Sequence, residues 1–399
     1  MINSNKKICV IGLGYIGLPT AALLSNRGYE VHGVDVVQNT VDIINNGEIH
    51  IIEPGLDTFV SSAVKSGKLK ADTKPDIADI FIIAVPTPFH EGYVPNVDYI
   101  ISAAKAIVPY VKAGDIVILE STSPVGTTDM MEEVLKKEGI DTSMLHIAHC
   151  PERVLPGRIM IELVENDRIV GGTTPVATEV TVAFYNTFVE GAVLSTDAKT
   201  AEMSKLTENA FRDTNIAFAN ELSILCDKFN IDVWELISLA NRHPRVNILQ
   251  PGAGVGGHCI AVDPWFIVHA GGTEAKMIRT AREINTYKTE WVIEKIKNAA
   301  LAFEVENGRK AKIACMGLAF KPDIDDLRES PALYISKKLI DDGFNILAVE
   351  PNIESYDAFE IVEYKKAISQ ADIITFLVAH KEFKDLSIKT ELDFCGVLR

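Results

Sequence analysis

The chain has 399 residues, of which 47% are hydrophobic and 24% are charged. That length predicts about two or three domains, and the apolar content is ample for their cores. The formal net charge of −16 argues against general binding to nucleic acid or to an anionic membrane, but local basic residues can still hold an anionic small substrate.

We expect neither secretion nor membrane insertion. The first ten residues contain no apolar signal-peptide region, and no apolar run reaches about 18 residues. Scattered cysteines are typical of reduced thiols in a cytoplasmic protein. Two of them directly follow a histidine, which is not the spacing of a zinc site, so we predict no metal. The six cysteines are Cys9, Cys150, Cys226, Cys259, Cys315 and Cys395.

The N-terminal segment carries a dinucleotide-binding fingerprint. The apolar run 7–11 predicts a buried strand, an apolar helix follows to about Asn26, and residues 31–34 predict a second strand that ends at Asp35. This order of strand, glycines, helix, strand and acid is the one that a dinucleotide site requires. The glycine-rich turn consists of Gly12, Leu13, Gly14, Tyr15, Ile16 and Gly17.

The fingerprint predicts how a cofactor would be held. Gly12 makes the turn, Gly14 lets the backbone approach a pyrophosphate at the helix N-terminus, and Gly17 lets the helix pack on the strand. We count Tyr15, Ile16 and the three glycines as cofactor-binding. Asp35 would accept a hydrogen bond from a ribose 2′-hydroxyl and repel a 2′-phosphate, so the predicted cofactor is NAD rather than NADP.

Further strands and helices extend this α/β domain, whose end we place near residue 196. Thr87 and Thr122 follow two of the strands. Because ligands bind at the carboxyl ends of parallel strands, both threonines are candidates for contact with the nicotinamide. Ordinary turn chemistry explains them equally well, so both interpretations stay open. Strands are predicted at 80–85, 116–120, 146–148, 168–171 and 192–194, and helices at 97–108 and 127–137.

The middle of the chain, residues 197–308, is predicted to be helical and has the size of a spacer and dimer interface. Lys205, Asn209 and Arg212 share one face of the first helix, either as a solvated stripe or as a polar face turned into a cleft. The predicted helices span 200–228, 232–240 and 273–307.

The glycine-rich stretch 251–266, interpreted as a loop, separates the second and third helices. Glycines let a backbone bend sharply and approach a ligand closely, and a thiol beside such a loop is a candidate covalent nucleophile. A cysteine is about as often a small buried hydrophobe. The stretch contains Gly252, Gly254, Gly256, Gly257, Cys259 and Asp263.

Residues 309–399 predict a second, shorter α/β domain. Strands are expected at 312–316, 345–349 and 373–378, with a helix at 331–342 that begins with proline. This domain lacks a full Gly-x-Gly-x-x-Gly sequence and could hold the other half of a nucleotide-like ligand. The predicted architecture is two Rossmann-like parallel-sheet domains, 1–196 and 309–399, joined by the helical domain 197–308.

In this order the motifs resemble the nucleotide-sugar 6-dehydrogenase family, which includes enzymes for UDP-glucose, GDP-mannose and UDP-N-acetylmannosamine. The glycine-rich stretch looks most like the UDP-N-acetylmannosamine branch. The UDP-glucose branch usually has Lys where this chain has Val262, and a UDP-N-acetylglucosamine branch stays open. The resemblance covers essentially the whole chain and is carried by VIGLGYIGLP, VPTP, STSPVGTT, PER, EMSKLTENAFRDTNIAFANE, GVGGHCIAVDP and GLAFKPDIDDLRESPA.

The resemblance implies a four-electron, NAD-dependent oxidation of a C6 alcohol to a carboxylate. Cys259 would attack the intermediate aldehyde, and water would hydrolyse the resulting thioester. Lys205 and Asn209 match positions that stabilise an oxyanion, and Asp263 matches one that orients or deprotonates water or the alcohol. Two further matches complete the implied catalytic set. Thr122 would help to hold the water, and Glu152 is a candidate base for hydrolysis.

The resemblance also implies the contacts of a UDP-amino-sugar in a homodimer or larger homo-oligomer. Arg328 would reach NAD, and His243 and Arg245 could come from a second subunit. The implied substrate-binding residues are Arg153, Val154, Lys205, Asn209, Arg212, His243, Arg245, Gly257, Phe320 and Lys321.

Two other functions compete with this interpretation. A two-electron hydroxyacid dehydrogenase would share the first domain and a helical partner, but it needs neither Cys259 nor residues 310–399. An NAD-sensing scaffold would have a degenerate site, yet Cys259, Lys205 and Asp263 are all present.

Overall fold

The computed structural model of the chain describes residues 6–257, 259–388, 390 and 392–399. The chain divides into two compact units, Met1–Thr207 (unit 1) and Glu208–Arg399 (unit 2). None of the described helices combines the length and the apolar character that a membrane crossing needs.

Unit 1 is built on an eight-stranded sheet with helices on both faces, accompanied by a short two-stranded ribbon. Helix α8 (Ala198–Phe229) begins in this unit and continues into unit 2. The described strands are β1 (Lys7–Ile11), β2 (Glu30–Val34), β3 (Leu69–Asp72), β4 (Ile80–Ile83), β5 (Phe89–His90), β6 (Val94–Pro95), β7 (Ile116–Leu119), β8 (His146–His149), β9 (Arg168–Gly172) and β10 (Val193–Asp197). The other helices are α1 (Gly17–Asn26), α2 (Gln38–Asn45), α3 (Leu56–Lys65), α4 (Asp98–Ile107), α5 (Thr127–Lys137), α6 (Ile159–Glu165) and α7 (Pro175–Tyr185).

Six strands of the large sheet are parallel, in the spatial order β3-β2-β1-β4-β7-β8. This is the doubly wound order of dinucleotide-binding folds, as predicted. The last two strands differ, because β9 runs antiparallel to β8 and carries β10 parallel to itself. The sequence did not predict this reversal, since strand direction depends on how the connection crosses the sheet and not on the apolar pattern within the strand.

The central strands are apolar throughout because both faces of the sheet are covered. Successive side chains point to opposite faces. Ile8 and Val10 of β1 therefore pack into one core, and Cys9 and Ile11 pack into the other. The adjacent strand β4 divides its residues in the same way, and all four of them are fully buried.

Unit 2 combines long helices with a three-stranded parallel sheet in the order β12-β11-β13. The predicted third helix starts at Lys276, a little later than expected, after a short 3-10 turn at Gly272–Glu274. Besides the second part of α8, the elements are α9 (Val233–Ala240), α10 (Asp263–Gly271), α11 (Lys276–Asn307), β11 (Lys312–Met316), α12 (Pro331–Asp341), β12 (Asn345–Val349), α13 (Tyr364–Gln370) and β13 (Ile373–Phe376).

One prediction about the glycine-rich stretch is wrong. We interpreted 251–266 as a loop, but Asp263 is the first residue of α10. Pro264 fits at the start of that helix, because its missing N–H would have no partner there in any case. Several further elements carried no prediction, namely α2, α3, β3, α6 and α13.

The two units repeat one local structure at the end of their first strand. Gly12 has φ of +91° and donates its N–H to Val34 at 2.8 Å, while Gly317 has φ of +96° and donates to Val349 at 2.8 Å. A Cβ at Gly12 would lie 2.5 Å from the carbonyl oxygen of Ala84, and a Cβ at Gly317 would lie 2.5 Å from the Cβ of Val378. In both units the second strand is followed by an acid, Asp35 or Glu350.

The acid of unit 2 is fully engaged inside its turn. Glu350 Oε2 accepts the N–H groups of Leu318 (2.8 Å) and Ala319 (2.9 Å), and it lies 3.1 Å from Nε2 of the buried His380. His380 Nδ1 accepts the N–H of Asp323, so the hydrogen-bond pattern places the ring proton on Nε2, toward Glu350. Burial alone would raise the pKa of Glu350, but these donors lower it to about 2.

This geometry predicts a specific acid sensitivity. Because the pKa of Glu350 is lower in the folded chain than in the unfolded chain, its contribution to stability is present above about pH 4.5 and is lost as the pH falls toward 2. Glu350→Gln would turn one acceptor into a donor that faces two N–H groups. We expect it to lower the free energy of unfolding by on the order of 3 kcal/mol at pH 7. The unfolding free energy of the variant should also fall less than that of the wild type as the pH is lowered from about 4.5 toward 2.

Urea unfolding between pH 2 and 7 measures this effect. Glu354→Gln, at an exposed glutamate of the same unit, is the control and should match the wild type. Equal stability of Glu350→Gln and wild type at pH 7 would contradict the interpretation.

Candidate active site

The glycine turn of unit 1 has the shape that a dinucleotide needs. A Cβ at Gly17 would come within 1.8 Å of the Gly12 carbonyl oxygen, so helix and turn pack without room for a side chain. At Gly14 the space is open, and the backbone there is accessible to a ligand. Asp35 accepts the N–H groups of Leu13 (3.2 Å) and Val37 (3.0 Å). Its carboxylate retains lone pairs for a ribose hydroxyl. The turn therefore fits NAD.

The two threonines at strand ends lie together. Thr87 follows β4, Thr122 follows the adjacent β7, and the hydroxyl of Thr87 donates to the carbonyl of Thr122 at 2.6 Å. The Thr87 hydroxyl therefore stabilises the local backbone, whereas the half-buried Thr122 side chain remains a candidate contact for a ligand.

Glu202 of α8, which the sequence analysis missed, fixes the segment that follows Thr122. The buried carboxylate accepts the N–H of Gly126 as well as the N–H (2.7 Å) and hydroxyl (2.6 Å) of Thr128, at the start of α5. Burial raises the pKa of Glu202. Lys205, which is half-buried, lies one turn further along the same helix. The signal available in the sequence was an acid one helical turn before the apolar Leu206, on the apolar side of the predicted helix.

The Pro-Glu-Arg segment follows β8 and is firmly held. Glu152 is 6% exposed and accepts hydrogen bonds from Arg168 (2.5 Å) and from the N–H of Arg153 (2.6 Å). The half-buried Val154 packs against the core of unit 1 rather than projecting freely, which leaves little of its side chain for a substrate. Glu53, also buried, accepts the N–H groups of Gly157 (2.7 Å) and Ile159 (2.8 Å), a few residues after this segment.

In unit 2 the glycine-rich stretch packs tightly on the segment after β11. A Cβ at Gly254 would come within 2.9 Å of Pro331, and one at Gly257 within 2.8 Å of the Phe320 ring. A Cβ at Gly256 would meet the carbonyl oxygen of Glu329 at 2.5 Å. We expected these glycines to serve a ligand. The structure shows a packing role for them, which a local sequence pattern does not contain, and their contact with a ligand stays a prediction.

Cys259 lies in the turn that leads into α10. The carbonyl of Cys259 accepts the N–H groups of Val262 (3.0 Å) and Asp263 (2.8 Å), and Cys259 is half-buried. The carboxylate of Asp263, 4% exposed, accepts a hydrogen bond of 2.6 Å from the side-chain amide of Asn209 on α8. The structure thus brings together two predicted catalytic residues that are 54 positions apart, and one of them, Asp263, is bonded through its backbone N–H to the predicted nucleophile.

A row of buried polar side chains connects α8 and α11 to this stretch. Asp213 accepts from Arg282 at 2.6 Å and from Asn285 at 2.8 Å. Asn285 accepts from Asn220 at 2.9 Å, and Asn220 accepts the N–H of Gly252 at 2.9 Å. Burial raises the pKa of Asp213 even though Arg282 opposes the shift. We did not predict this row. Asp213 and Asn220 are i, i+7 polar residues near the face of Asn209, which was the available signal.

Four of the six basic residues predicted for the substrate lie on the surface, whereas Arg153 and Lys205 are half-buried. Arg212, His243, Arg245 and Lys321 are exposed. Arg328 is exposed as well, and its guanidinium makes a two-point ion pair with Asp326, with hydrogen bonds of 2.6–3.0 Å. Phe320 is half-buried against Gly257.

One group of side chains among the described residues has the spacing of a metal site: Asp323, His380 and Glu382, with ligand atoms within 4.8 Å of one another. Both ring nitrogens of His380 already have partners, since Nδ1 accepts the N–H of Asp323 and Nε2 faces Glu350. This imidazole therefore offers no lone pair to an ion.

These features are those of a dinucleotide-dependent oxidoreductase. They are the doubly wound sheet, the glycine turn that fits NAD, and the glycine-rich stretch that contains Cys259. The sequence matches the UDP-glucose/GDP-mannose dehydrogenase family in its NAD binding domain (residues 6–189), central domain (199–287) and UDP binding domain (314–394). The chain belongs to this family and is an NAD-dependent nucleotide-sugar dehydrogenase. The predicted family, fold class and cofactor are confirmed.

Named relatives are similar over nearly the whole chain. The UDP-N-acetyl-D-mannosamine dehydrogenase of Campylobacter jejuni is 56% identical, over 99% of this chain and 100% of that protein. An NDP-N-acetyl-D-galactosaminuronic acid dehydrogenase of Ralstonia nicotianae is 54% identical, over 96% and 92%. The solved structure of the UDP-N-acetyl-mannosamine dehydrogenase from S. aureus superposes with a TM-score of 0.86 at 44% identity, over 96% and 91%.

The close packing at Gly256 yields a sharp prediction. In Gly256→Ala the new Cβ would meet a backbone oxygen that cannot move cheaply, so we expect a loss of about 1–3 kcal/mol in unfolding free energy. We also expect at least a tenfold loss of NADH formation, because Cys259 is only three residues away. Gly252→Ala is the matched control, since its Cβ would meet only one atom, at 3.7 Å. Thermal unfolding and NADH absorbance measure both effects, and equal behaviour of the two variants would contradict the packing argument.

Proposed function

We propose that this protein oxidises the C6 alcohol of UDP-N-acetyl-D-mannosamine to the carboxylate, giving UDP-N-acetyl-D-mannosaminuronate. The observation that carries the proposal is the 56% identity to the C. jejuni enzyme named for that substrate, over 99% of this chain and 100% of that protein. The geometry around Asn209, Asp263 and Cys259 supports the chemistry, since Asn209 fixes the buried carboxylate of Asp263, and the backbone N–H of Asp263 donates to the carbonyl of the half-buried Cys259.

In the proposed mechanism Cys259 is the covalent nucleophile. The alcohol carbon loses a hydride and its oxygen loses a proton, which gives an aldehyde. The thiolate adds to the aldehyde carbon, a C–S bond forms, and negative charge develops on O6, where Lys205 and Asn209 would stabilise it. Loss of a second hydride from the same carbon gives the thioester. Water then attacks, the C–S bond breaks, and the thiolate leaves as the carboxylate forms.

The other predicted residues support these steps. Bound NAD accepts the hydride in each oxidation. The turn from Gly12 to Gly17 and the carboxylate of Asp35 would bind the cofactor, and Thr122 would help to hold the water. Asp263 would orient that water or the alcohol, and Glu152 would take a proton during hydrolysis.

A second substrate is favoured by one observation. The R. nicotianae relative, 54% identical, is named for an N-acetyl-D-galactosaminuronic acid. UDP-N-acetylgalactosamine and UDP-N-acetylglucosamine differ from the mannosamine substrate only in the configuration of hydroxyl or acetamido carbons. The rate of NADH formation with each of the three UDP-sugars distinguishes them, and a preference for either alternative would overturn the substrate assignment.

We expect Cys259→Ala to abolish formation of the uronate, with a loss of at least about 1,000-fold, because it removes the thiol that would hold the aldehyde covalently. Mass spectrometry of the sugar product measures this. Cys395→Ala is the control, since it removes another half-buried thiol of the same unit, and it should retain activity. Formation of the uronate by Cys259→Ala at a near-normal rate would mean that the thioester mechanism is wrong.

We further propose three domains, 1–196, 197–308 and 309–399, and a homodimer formed through α8. Phe211, Phe218, Leu225 and Phe229 form an apolar stripe on this helix and are 42–68% exposed. At about 100° per residue, the stripe lies on the side of α8 opposite to Lys205 and Asn209. Pairing with a second copy would bury it and leave the polar face for chemistry.

Light scattering after gel filtration tests the dimer. Phe218→Glu should convert it to a monomer, because a buried charge without a partner opposes association. Ser369→Glu adds the same charge at an exposed position and should stay dimeric. A monomeric wild type, or a dimeric Phe218→Glu, would contradict this interface.

A further inference from the structure

A buried ion pair lies behind the Pro-Glu-Arg segment of unit 1. Arg168, the first residue of β9, is 1% exposed, and its Nη1 donates to Glu152 Oε2 at 2.5 Å. Its Nη2 donates to the carbonyl of Leu163 at 3.2 Å. Removing a guanidinium from water is costly, so this arginine requires the carboxylate that it contacts.

The same strand start also holds the neighbouring backbone. The other oxygen of Glu152 accepts the N–H of Arg153 at 2.6 Å. The carbonyl of Arg153 accepts from Asn166 at 3.1 Å, and its guanidinium donates to the carbonyl of Asp167 at 3.4 Å. Both carboxylate oxygens of Glu152 are thus held by a donor, and each retains a lone pair for a proton. The orientation of this carboxylate is fixed before any substrate binds.

We propose that Arg168 is a positioning residue for thioester hydrolysis, because its guanidinium holds the carboxylate of Glu152 in the orientation from which it can take a proton from the attacking water. This inference rests on the proposed function. A guanidinium suits the task, since it stays charged at every working pH and its planar donors fix the plane of a carboxylate, which an ammonium group does not do.

A second buried glutamate lies near the pair, but the guanidinium of Arg168 donates to Glu152. Glu120, at the end of β7, is also buried and accepts a hydrogen bond of 2.7 Å from Tyr185. Burial raises the pKa of Glu120 to about 7, the negative charge of Glu152 acts in the same direction, and Arg168 opposes both. The guanidinium of Arg168 therefore positions Glu152, to which it donates, whereas Glu120 is held by the hydroxyl of Tyr185.

The hydrolytic step is redox-neutral. A water oxygen bonds to the thioester carbon, one of its protons passes to Glu152, and the C–S bond breaks with the thiolate of Cys259 as leaving group. If Arg168 positions Glu152, its loss should slow this step by about 100-fold, the cost of misplacing a catalytic group by about 1 Å. The two oxidations should still occur once, so two NADH per active site should form in a burst and the acyl-enzyme should accumulate.

The test compares Arg168→Lys and Arg168→Gln with Glu120→Gln, a shape-conserving change in the same buried cluster. Stopped-flow NADH absorbance gives the burst, and intact mass gives the adduct on Cys259. We expect both Arg168 variants to show the burst and the adduct, and Glu120→Gln to show neither. Arg168→Lys retains the buried charge, so it carries the test if Arg168→Gln does not fold.

Three other outcomes would overturn the inference. The first is an Arg168→Lys variant that turns over like the wild type. The second is an Arg168→Lys variant that is less stable but has an unchanged rate per folded molecule and no adduct. The third is a Glu120→Gln variant with the same adduct as the Arg168 variants. Failure of the proposed function looks different, because the wild type itself would then produce no uronate.

Discussion

The position of the Cys259 thiol depends on a backbone that leaves no room for side chains. At Gly254, Gly256 and Gly257 any Cβ would clash with Phe320, Glu329 or Pro331. On its other side the stretch receives a hydrogen bond from Asn220, the last member of the buried polar row between α8 and α11. A backbone held from both sides has little freedom, which is what a nucleophile with a fixed approach to its carbonyl requires.

Buried acids recur as the groups that hold functional segments in place. Glu202 fixes the start of α5, Glu53 fixes the start of α6, and Glu350 fixes the turn after β11. Each accepts at least two backbone N–H groups, so a carboxylate takes the place of a longer stretch of regular structure. Asp35 accepts only one backbone N–H on each carboxylate oxygen, so each oxygen retains a lone pair that can accept a hydrogen bond from a ribose hydroxyl.

The sequence was most informative where the structure is local. The strands at 7–11 and 312–316 and the helix at 127–137 have the predicted bounds, because apolar runs and turn residues determine them nearby. The glycine fingerprint and the Asn209, Cys259 and Asp263 assignments came from spacing and from the family resemblance.

What could not be predicted depends on distant contacts. The reversal of β9, the partner of Glu152 at Arg168, and the packing of Gly256 against Glu329 join segments 16 to 73 residues apart, and no periodicity reports them. The interpretation of 251–266 as one loop failed for a related reason. Glycine content marks where a chain can bend, but it does not mark where the next helix begins.

The central claim is a four-electron oxidation through an enzyme-bound thioester, and the most direct measurement is the number of NADH formed per UDP-N-acetyl-D-mannosamine consumed. Absorbance gives the NADH, and chromatography of the UDP-sugars gives the substrate consumed. We expect two NADH per sugar, with the uronate as the product. One NADH per sugar, with the aldehyde as the product, would contradict it.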